Sequence, residues 1–220
     1  MVSSVLAFGV FAATGADAAI YDATTDFQTL SNPGGVWSYG YSHNGGSNYS
    51  MTLFNAPGWS MSGYNTLGTP AIWKNNTANT LYGVAPGQIS LHPGPVANGD
   101  FAILRFTAPG LGTYSVSGQF FAGDSGSMNG SIVLDGDLTH PLQYFSNTTN
   151  GSIFAPLSLH LGAGETLDFV VGHNGSFYNG NTPISVSING VPAIPEPETY
   201  ALMLAGLGLL GFMARRKKSA

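Results

Sequence analysis

Between Ile20 and Ile188 the chain never repeats its apolar residues at a helical period. Short alternating runs stand between glycine and asparagine turns instead. A chain patterned this way is confined to strands, each turning one face to a core. The clearest run is Thr113–Phe121, where Tyr114, Val116, Gly118 and Phe120 face one way and Ser115, Ser117 and Gln119 the other. It follows Phe101–Thr107 across Ala108-Pro109-Gly110-Leu111-Gly112, a proline–glycine turn that predicts a hairpin. Ser131–Leu134, Leu138–Phe145 and Ser152–Leu161 come next. Thr166–Gly172 then sets Leu167, Phe169 and Val171 against Asp168 and Val170, and Pro183–Ile188 sets Ile184, Val186 and Ile188 against Ser185 and Ser187. In the less regular first half, Val36–Tyr41, Ser50–Phe54, Ala71–Lys74 and Gln88–Leu91 are expected strands, joined by long Gly/Asn/Pro loops of the kind that hold ligands. Strands at a spacing of roughly 10–15 residues predict an all-β fold, a single jelly-roll-like β-sandwich over residues 19–191.

The charge pattern narrows the partners. Charged residues are 8% of the chain, against about 25% in an average protein. Between Ala19 and Pro192 only Lys74 and Arg105 stand against Asp22, Asp26, Asp100, Asp124, Asp135, Asp137, Glu165 and Asp168. Such a surface repels phosphate backbones, which excludes nucleic acid as a partner. With 12% aromatic and 43% hydrophobic residues the chain has material for a core, and with no cysteine it has no disulfide to assist it.

Aromatic residues are the most suggestive chemistry. Trp37, Tyr39 and Tyr41 alternate and so share one strand face; Trp59, Tyr64 and Trp73 follow, and Phe177 and Tyr178 come late. Flat rings beside Asn, Gln and Asp suit a sugar, whose C–H groups stack on rings while its hydroxyls take polar partners. The same rings suit a core equally well. Trp37, Tyr39, Tyr41, Trp59 and Trp73 are the candidate sugar-binding set.

Other groups carry less. Asp135-Gly136-Asp137 can present two carboxylates to a structural calcium ion or can simply be a tight turn; no other cofactor is expected. Gly123-Asp124-Ser125-Gly126 looks like a serine-protease nucleophile signature, but no histidine has the matching context, and a turn explains it. Asp168 sits among apolar residues and needs a donor or a cation, for which Arg105, the one arginine of the body, is the natural partner. His43, His92, His140, His160 and His173 show no metal-ligand spacing.

Both termini carry different signals. Residues 1–18 are small and apolar and end Ala16-Asp17-Ala18, as a signal peptide does, without the usual basic start, so the true start codon is expected upstream. At the other end Pro195-Glu196-Pro197 precedes an uncharged apolar run, Ala201–Ala214, and the basic cluster Arg215, Arg216, Lys217 and Lys218. Fourteen helical residues span roughly 21 Å, less than the roughly 30 Å hydrocarbon core. Tyr200 and snorkelling cations extend the reach, so a transmembrane helix is expected over 200–214 with its cations cytoplasmic.

Pro-Glu-Pro, a short apolar span and a basic terminus, in that order, resemble the PEP-CTERM sorting signal of Gram-negative bacteria. That resemblance, over residues 192–220, implies recognition by an exosortase, a membrane cysteine protease-transpeptidase. It also implies cleavage near Pro195–Pro197 and delivery from the inner membrane to the cell surface or extracellular polysaccharide. Leu161–Gly172 and Arg105–Gly118 resemble segments of bacterial jelly-roll and carbohydrate-binding-like domains. The expectation is therefore an exported, non-enzymatic surface or matrix protein whose body binds polysaccharide. The alternatives are a polysaccharide-degrading enzyme of jelly-roll fold, for which two basic residues in the body are few, and a purely structural surface protein.

Overall fold

A computed structural model describes residues 18–43, 49–55, 59–60, 66–97, 99–192 and 203–208. The body, Ala18–Val191, is one compact unit. Its strands are β1 (Ala19–Asp22), β2 (Trp37–Ser42), β3 (Thr52–Leu53), β4 (Trp59–Ser60), β5 (Ala71–Lys74), β6 (Ile89–His92) and β7 (Phe101–Thr107). The series continues with β8 (Gly112–Phe120), β9 (Met128–Leu134), β10 (Gln143–Phe145), β11 (Ser152–Ile153), β12 (Leu157–Leu161), β13 (Thr166–His173) and β14 (Thr182–Pro192). They form two sheets, and the body is the all-β sandwich that the alternation predicts. One sheet has the order β11-β8-β14-β6-β5-β4, with β12 also on β8 and β1 also on β14; the other has the order β10-β9-β13-β7-β2-β3.

Between the sheets lies one continuous core. Tyr114, Val116 and Phe120 of β8 meet Ile184, Val186 and Ile188 of β14, Leu104 and Phe106 of β7, and Leu167, Phe169 and Val171 of β13. In β8 and β14 these positions alternate with Ser, Thr, Gln and Asn, so the pattern of period two fills that side of the core; in β7 and β13 the other face is partly apolar too. An aromatic contact crosses it, Tyr39 of β2 stacking on Trp59 of β4 with centroids 5.5 Å apart and planes 11° apart, while within the second sheet Trp37 meets its cross-strand neighbour Phe106 edge-on at 5.5 Å.

One expectation fails. β7 and β8 do not form a hairpin, because they belong to opposite sheets. The Ala108–Leu111 connection is a corner between layers. Ala108 N donates to Glu165 O, Gly164 N donates to Ala108 O, and the Tyr114 hydroxyl donates to Gly110 O at 2.7 Å. Pro and Gly report that the chain turns and say nothing of which sheet it turns into. The expected strand 138–145 also shrinks to β10, since Asp137–Thr139 is spent on a side-chain-closed turn and Pro141 lacks a donor. Ser152–Leu161 divides into β11 and β12 around Phe154, which enters the core, and Pro156.

The second sheet is covered on its outer side too. Tyr49, Ile103, Val133 and Val170 form a small buried cluster with Met51, Phe101 and Leu138 packed on it. Room for this cover comes from missing side chains: a Cβ on Gly40 would lie 2.5 Å from Met51 Cε, and one on Gly172 would lie 2.8 Å from Phe101 Cε1. Asp168 falls on this outer side and is fully buried beneath the cover. Arg105, directly across the β7–β13 ladder, binds it as expected, with Nε to Oδ1 at 2.6 Å and Nη2 to Oδ2 at 2.7 Å. Glu165 lies outside the strand and is exposed, well apart in environment from Asp168.

Residues 203–208, within the expected 200–214 span, are helical. No helix among the described residues is long and apolar enough to cross a membrane. The rest of that span, the expected signal segment up to Asp17, Pro195-Glu196-Pro197 and Arg215–Lys218 lie outside the described residues.

Candidate functional site

β2, β6 and β13 finish at the same end of the sandwich at which β7, β9 and β14 begin, as the pairs Ser42–Phe101, Leu91–Thr182 and His173–Met128 show. The described parts of the connections that leave or enter these strands, 43, 49–51, 93–97, 99–100, 121–127 and 174–181, therefore belong to that end, and they bring together groups far apart in the chain.

At their centre Phe177 packs against two buried histidines. Its ring lies 6.4 Å from that of His92 and 6.4 Å from that of His173, and it touches the ring of exposed Tyr178 at 4.5 Å. His92 Nδ1 sits 2.8 Å from Pro93 O, which can only accept, and Gly180 N donates to His92 Nε2 at 3.3 Å. That pair of contacts assigns the neutral Nδ1–H tautomer. Burial pushes the His92 pKa below its ordinary 6.5, against the opposing pull of the Pro93 carbonyl and Asp124. His173 Nε2 faces Pro95 O at 3.3 Å, while its buried Nδ1 has no hydrogen-bond partner among the described residues. Beside them His43 Nδ1 meets buried Asp100 Oδ1 at 2.6 Å, and Val96 N donates to Asp100 Oδ2 at 3.0 Å. Gly123–Gly126 extends the β8–β14 ladder, with Asp124 N donating to Asn181 O and Gly126 N to Asn179 O. It is a backbone ladder, and nothing in it resembles a nucleophile's setting.

The candidate sugar-binding residues divide by burial. Trp37, Tyr39 and Trp59 are core residues with at most 2% exposure. The shared face of Trp37 and Tyr39 is the inner one, so the expectation of a platform there is corrected: these rings have no face open to a ligand. The two tryptophan nitrogens are bonded to the chain, Trp37 Nε1 donating to Asp26 Oδ2 at 3.2 Å and Trp59 Nε1 to Gln28 O at 2.8 Å. Burial pushes the Tyr39 phenol up to about 12. Tyr41 is partly buried and stacked on Phe54 at 5.0 Å. Trp73 alone of the three tryptophans keeps partial exposure. It lies beside Ser90 on the opposite face from core residue Ile72, and its Nε1 donates to Asn181 Oδ1 at 2.8 Å. Asn181 belongs to the loop that carries Phe177 and Tyr178. Trp73 and Tyr178 are thus aromatic groups that this end offers to solvent, with Phe121 and Phe177 also partly exposed. Nothing local in the sequence marks this grouping, because His43, Trp73, His92, Asp100, His173 and Phe177 come from six separate connections and strands.

Asp135 and Asp137 form the tight turn. Asp135 and Gly136 both have positive φ, 48° and 77°, and Asp137 N donates to Leu134 O. Asp135 Oδ1 accepts from Thr166 N at 2.8 Å and its hydroxyl at 3.2 Å. Asp137 accepts from the Thr139 hydroxyl and backbone N and faces His140 Nδ1 at 3.0 Å. The Thr139 hydroxyl, then His140, hold its carboxyl down to about 2. Both carboxylates already serve turn donors, and no group of three or more His, Cys, Asp or Glu able to hold a metal occurs among the described residues.

Comparison with known proteins bears on the tail. Residues 193–217 match the family model described as the PEP-CTERM protein-sorting motif. No curated protein matches the chain. Among solved structures, CBM51 from Clostridium perfringens GH95, in complex with methyl-galactose, is 10% identical. It covers 78% of this chain and 99% of its own, with a TM-score of 0.37. A family 35 carbohydrate binding module from Clostridium thermocellum is 18% identical over 53% of this chain and 88% of its own, with a TM-score of 0.32. Pika GITRL is 15% identical over 43% and 75%, with a TM-score of 0.29. Those scores are low, and nothing about this chain's ligand rests on them.

Proposed function

We propose that this chain is the precursor of an exported surface or matrix protein, cut by an exosortase at its C-terminal motif, with the sandwich as a non-catalytic passenger that contacts polysaccharide. The motif at 193–217 is the observation that carries the reading, since a PEP-CTERM motif implies export and exosortase processing at the membrane. The body's composition is compatible with an extracellular destination: few charges and many Ser, Thr and Asn residues.

For the polysaccharide contact the support is the loop end. Trp73 presents its ring beside the amide of Asn181, and exposed Tyr178 lies in the same loop as that amide, a combination that suits a sugar. β14 carries the chain from Thr182 at that end to Pro192 at the other, about 33 Å away at 3.3 Å per residue.

The test is to produce the full chain in a Gram-negative host with and without its exosortase and follow intact mass and location. Loss of the tail and surface delivery only with the enzyme is the expected result. An intact chain in both hosts defeats the reading. Retention of the processed protein in gels containing acidic or neutral polysaccharides tests the second half, and free migration through all of them defeats it.

A further inference from the structure

β14 is the last strand of the sandwich and the immediate neighbour of the sorting motif. It ends at Pro192 and the match begins at residue 193, so no linker separates them. The strand is not peripheral. It lies between β8 and β6, β1 pairs along it, and Ile184, Val186 and Ile188 are core residues. Pairing runs almost to its end: Ile20 opposes Asn189 and Ala19 opposes Gly190. A Cβ on Gly190 would lie 2.7 Å from Tyr114 Cε1 and 3.1 Å from Tyr21 Cε2, so two tyrosine rings close over the backbone at that point.

A peptide in a protease cleft is held extended, and at about 3.3 Å per residue Val191 and Pro195 are about 13 Å apart along the chain. An enzyme that grips a few residues on the N-terminal side of a bond near Pro195–Pro197 takes hold of residues whose backbone groups the sheet already uses. One set of N–H and C=O groups cannot serve both. The enzyme needs this end of β14 free, and the fold needs it paired.

We infer that the pairing of the end of β14 is a second determinant of processing: the 188–192 end of β14 peels from β1 and from β8 before the motif is cut, and the cleavage rate follows that opening. This rests on the reading that an exosortase cuts the motif. Strand ends open at far lower cost than core strands. Here the outward side chains, Ile20, Asn189 and Val191, are exposed, so what resists the peel is the inward packing of Ile188 and the tyrosine rings over Gly190.

Pulse-labelled full chain, followed in a host containing the exosortase, tests this with two variants. In one, six Gly/Ser residues are inserted after Pro192. In the other, Ile20→Cys and Asn189→Cys staple the facing pair; the chain has no other cysteine to compete. Cleavage is expected to be about tenfold faster with the spacer, as removal of a modest opening step implies, and slower with the staple until reductant is added. Parent-like rates for both variants overturn the inference and leave the motif reading standing. So does a faster spacer variant beside an unaffected staple, because the spacer then acts only by distance. A parent that is never cut overturns the motif reading and this inference with it.

Discussion

Arg105 grips Asp168 from directly across the ladder, both carboxylate oxygens engaged, and the Tyr49 hydroxyl donates a third bond to Oδ2 at 2.5 Å. The carboxylate is fully buried, the guanidinium partly exposed. Burial, then the neighbouring Asp168 charge, pushes the Tyr49 phenol far above its ordinary range, so it stays a donor at every accessible pH. Removing the cation strands a buried charge. Arg105→Ala is expected to destabilise the body by about 3–5 kcal/mol, and Tyr49→Phe by about 1–3 kcal/mol, in urea melts. Equal, sub-kcal effects would show the network to be ornamental.

The two classes of tryptophan should separate cleanly. Trp59→Ala empties a core position stacked on Tyr39 and is expected to cost about 3–5 kcal/mol. Trp73→Ala removes a partly exposed ring, should cost much less, and should abolish retention in polysaccharide gels. Retention that survives Trp73→Ala and Tyr178→Ala together would move the ligand elsewhere.

Acid should loosen the loop end. The folded protein holds His92 below its ordinary value of 6.5, because burial disfavours the imidazolium. Its contribution is therefore intact above pH 6.5 and declines as pH falls toward the lowered folded value, where the unfolded chain takes the proton first. Urea midpoints at pH 7.5 and 5.5 should fall more for the parent than for His92→Gln. Identical shifts would remove His92 from the account.

Gly83 faces Gly123 so closely that a Cβ on it would lie 2.2 Å from Gly123 C, and its φ is 76°. Gly83→Ala is expected to cost at least about 1–3 kcal/mol from the left-handed backbone alone, read as a lower melting temperature. A neutral substitution would mean that the 81–84 turn shifts freely away from the 121–126 segment.

What the residues disclosed in advance follows from how far each signal reaches. Alternation in Thr113–Phe121 and Thr166–Gly172 is local, and both strands were legible to within a residue. The Arg105–Asp168 pair was legible because a buried acid needs a partner and the body has one arginine. Tyr49, 119 positions from Asp168, carries no such sign. Alternation also told that Trp37 and Tyr39 share a face and left open which face is core, since a ring suits either. Pro109-Gly110 marked a turn but could not say that it changes sheets. The union of His43, Asp100, His92, His173 and Phe177 depends on loops meeting in space, which no spacing along the chain encodes. The sorting tail was the opposite case: its three parts are contiguous, so its meaning survives without any fold.

Because Ala19 stands opposite Gly190, the entry and exit of the body are neighbours, about 5 Å apart across one ladder. A bridge of a few residues would close the sandwich into a ring, and the ring could be reopened at the Asp135–Gly136 bend with every ladder retained. Which strand comes first is thus a matter of manufacture. The architecture itself has no beginning.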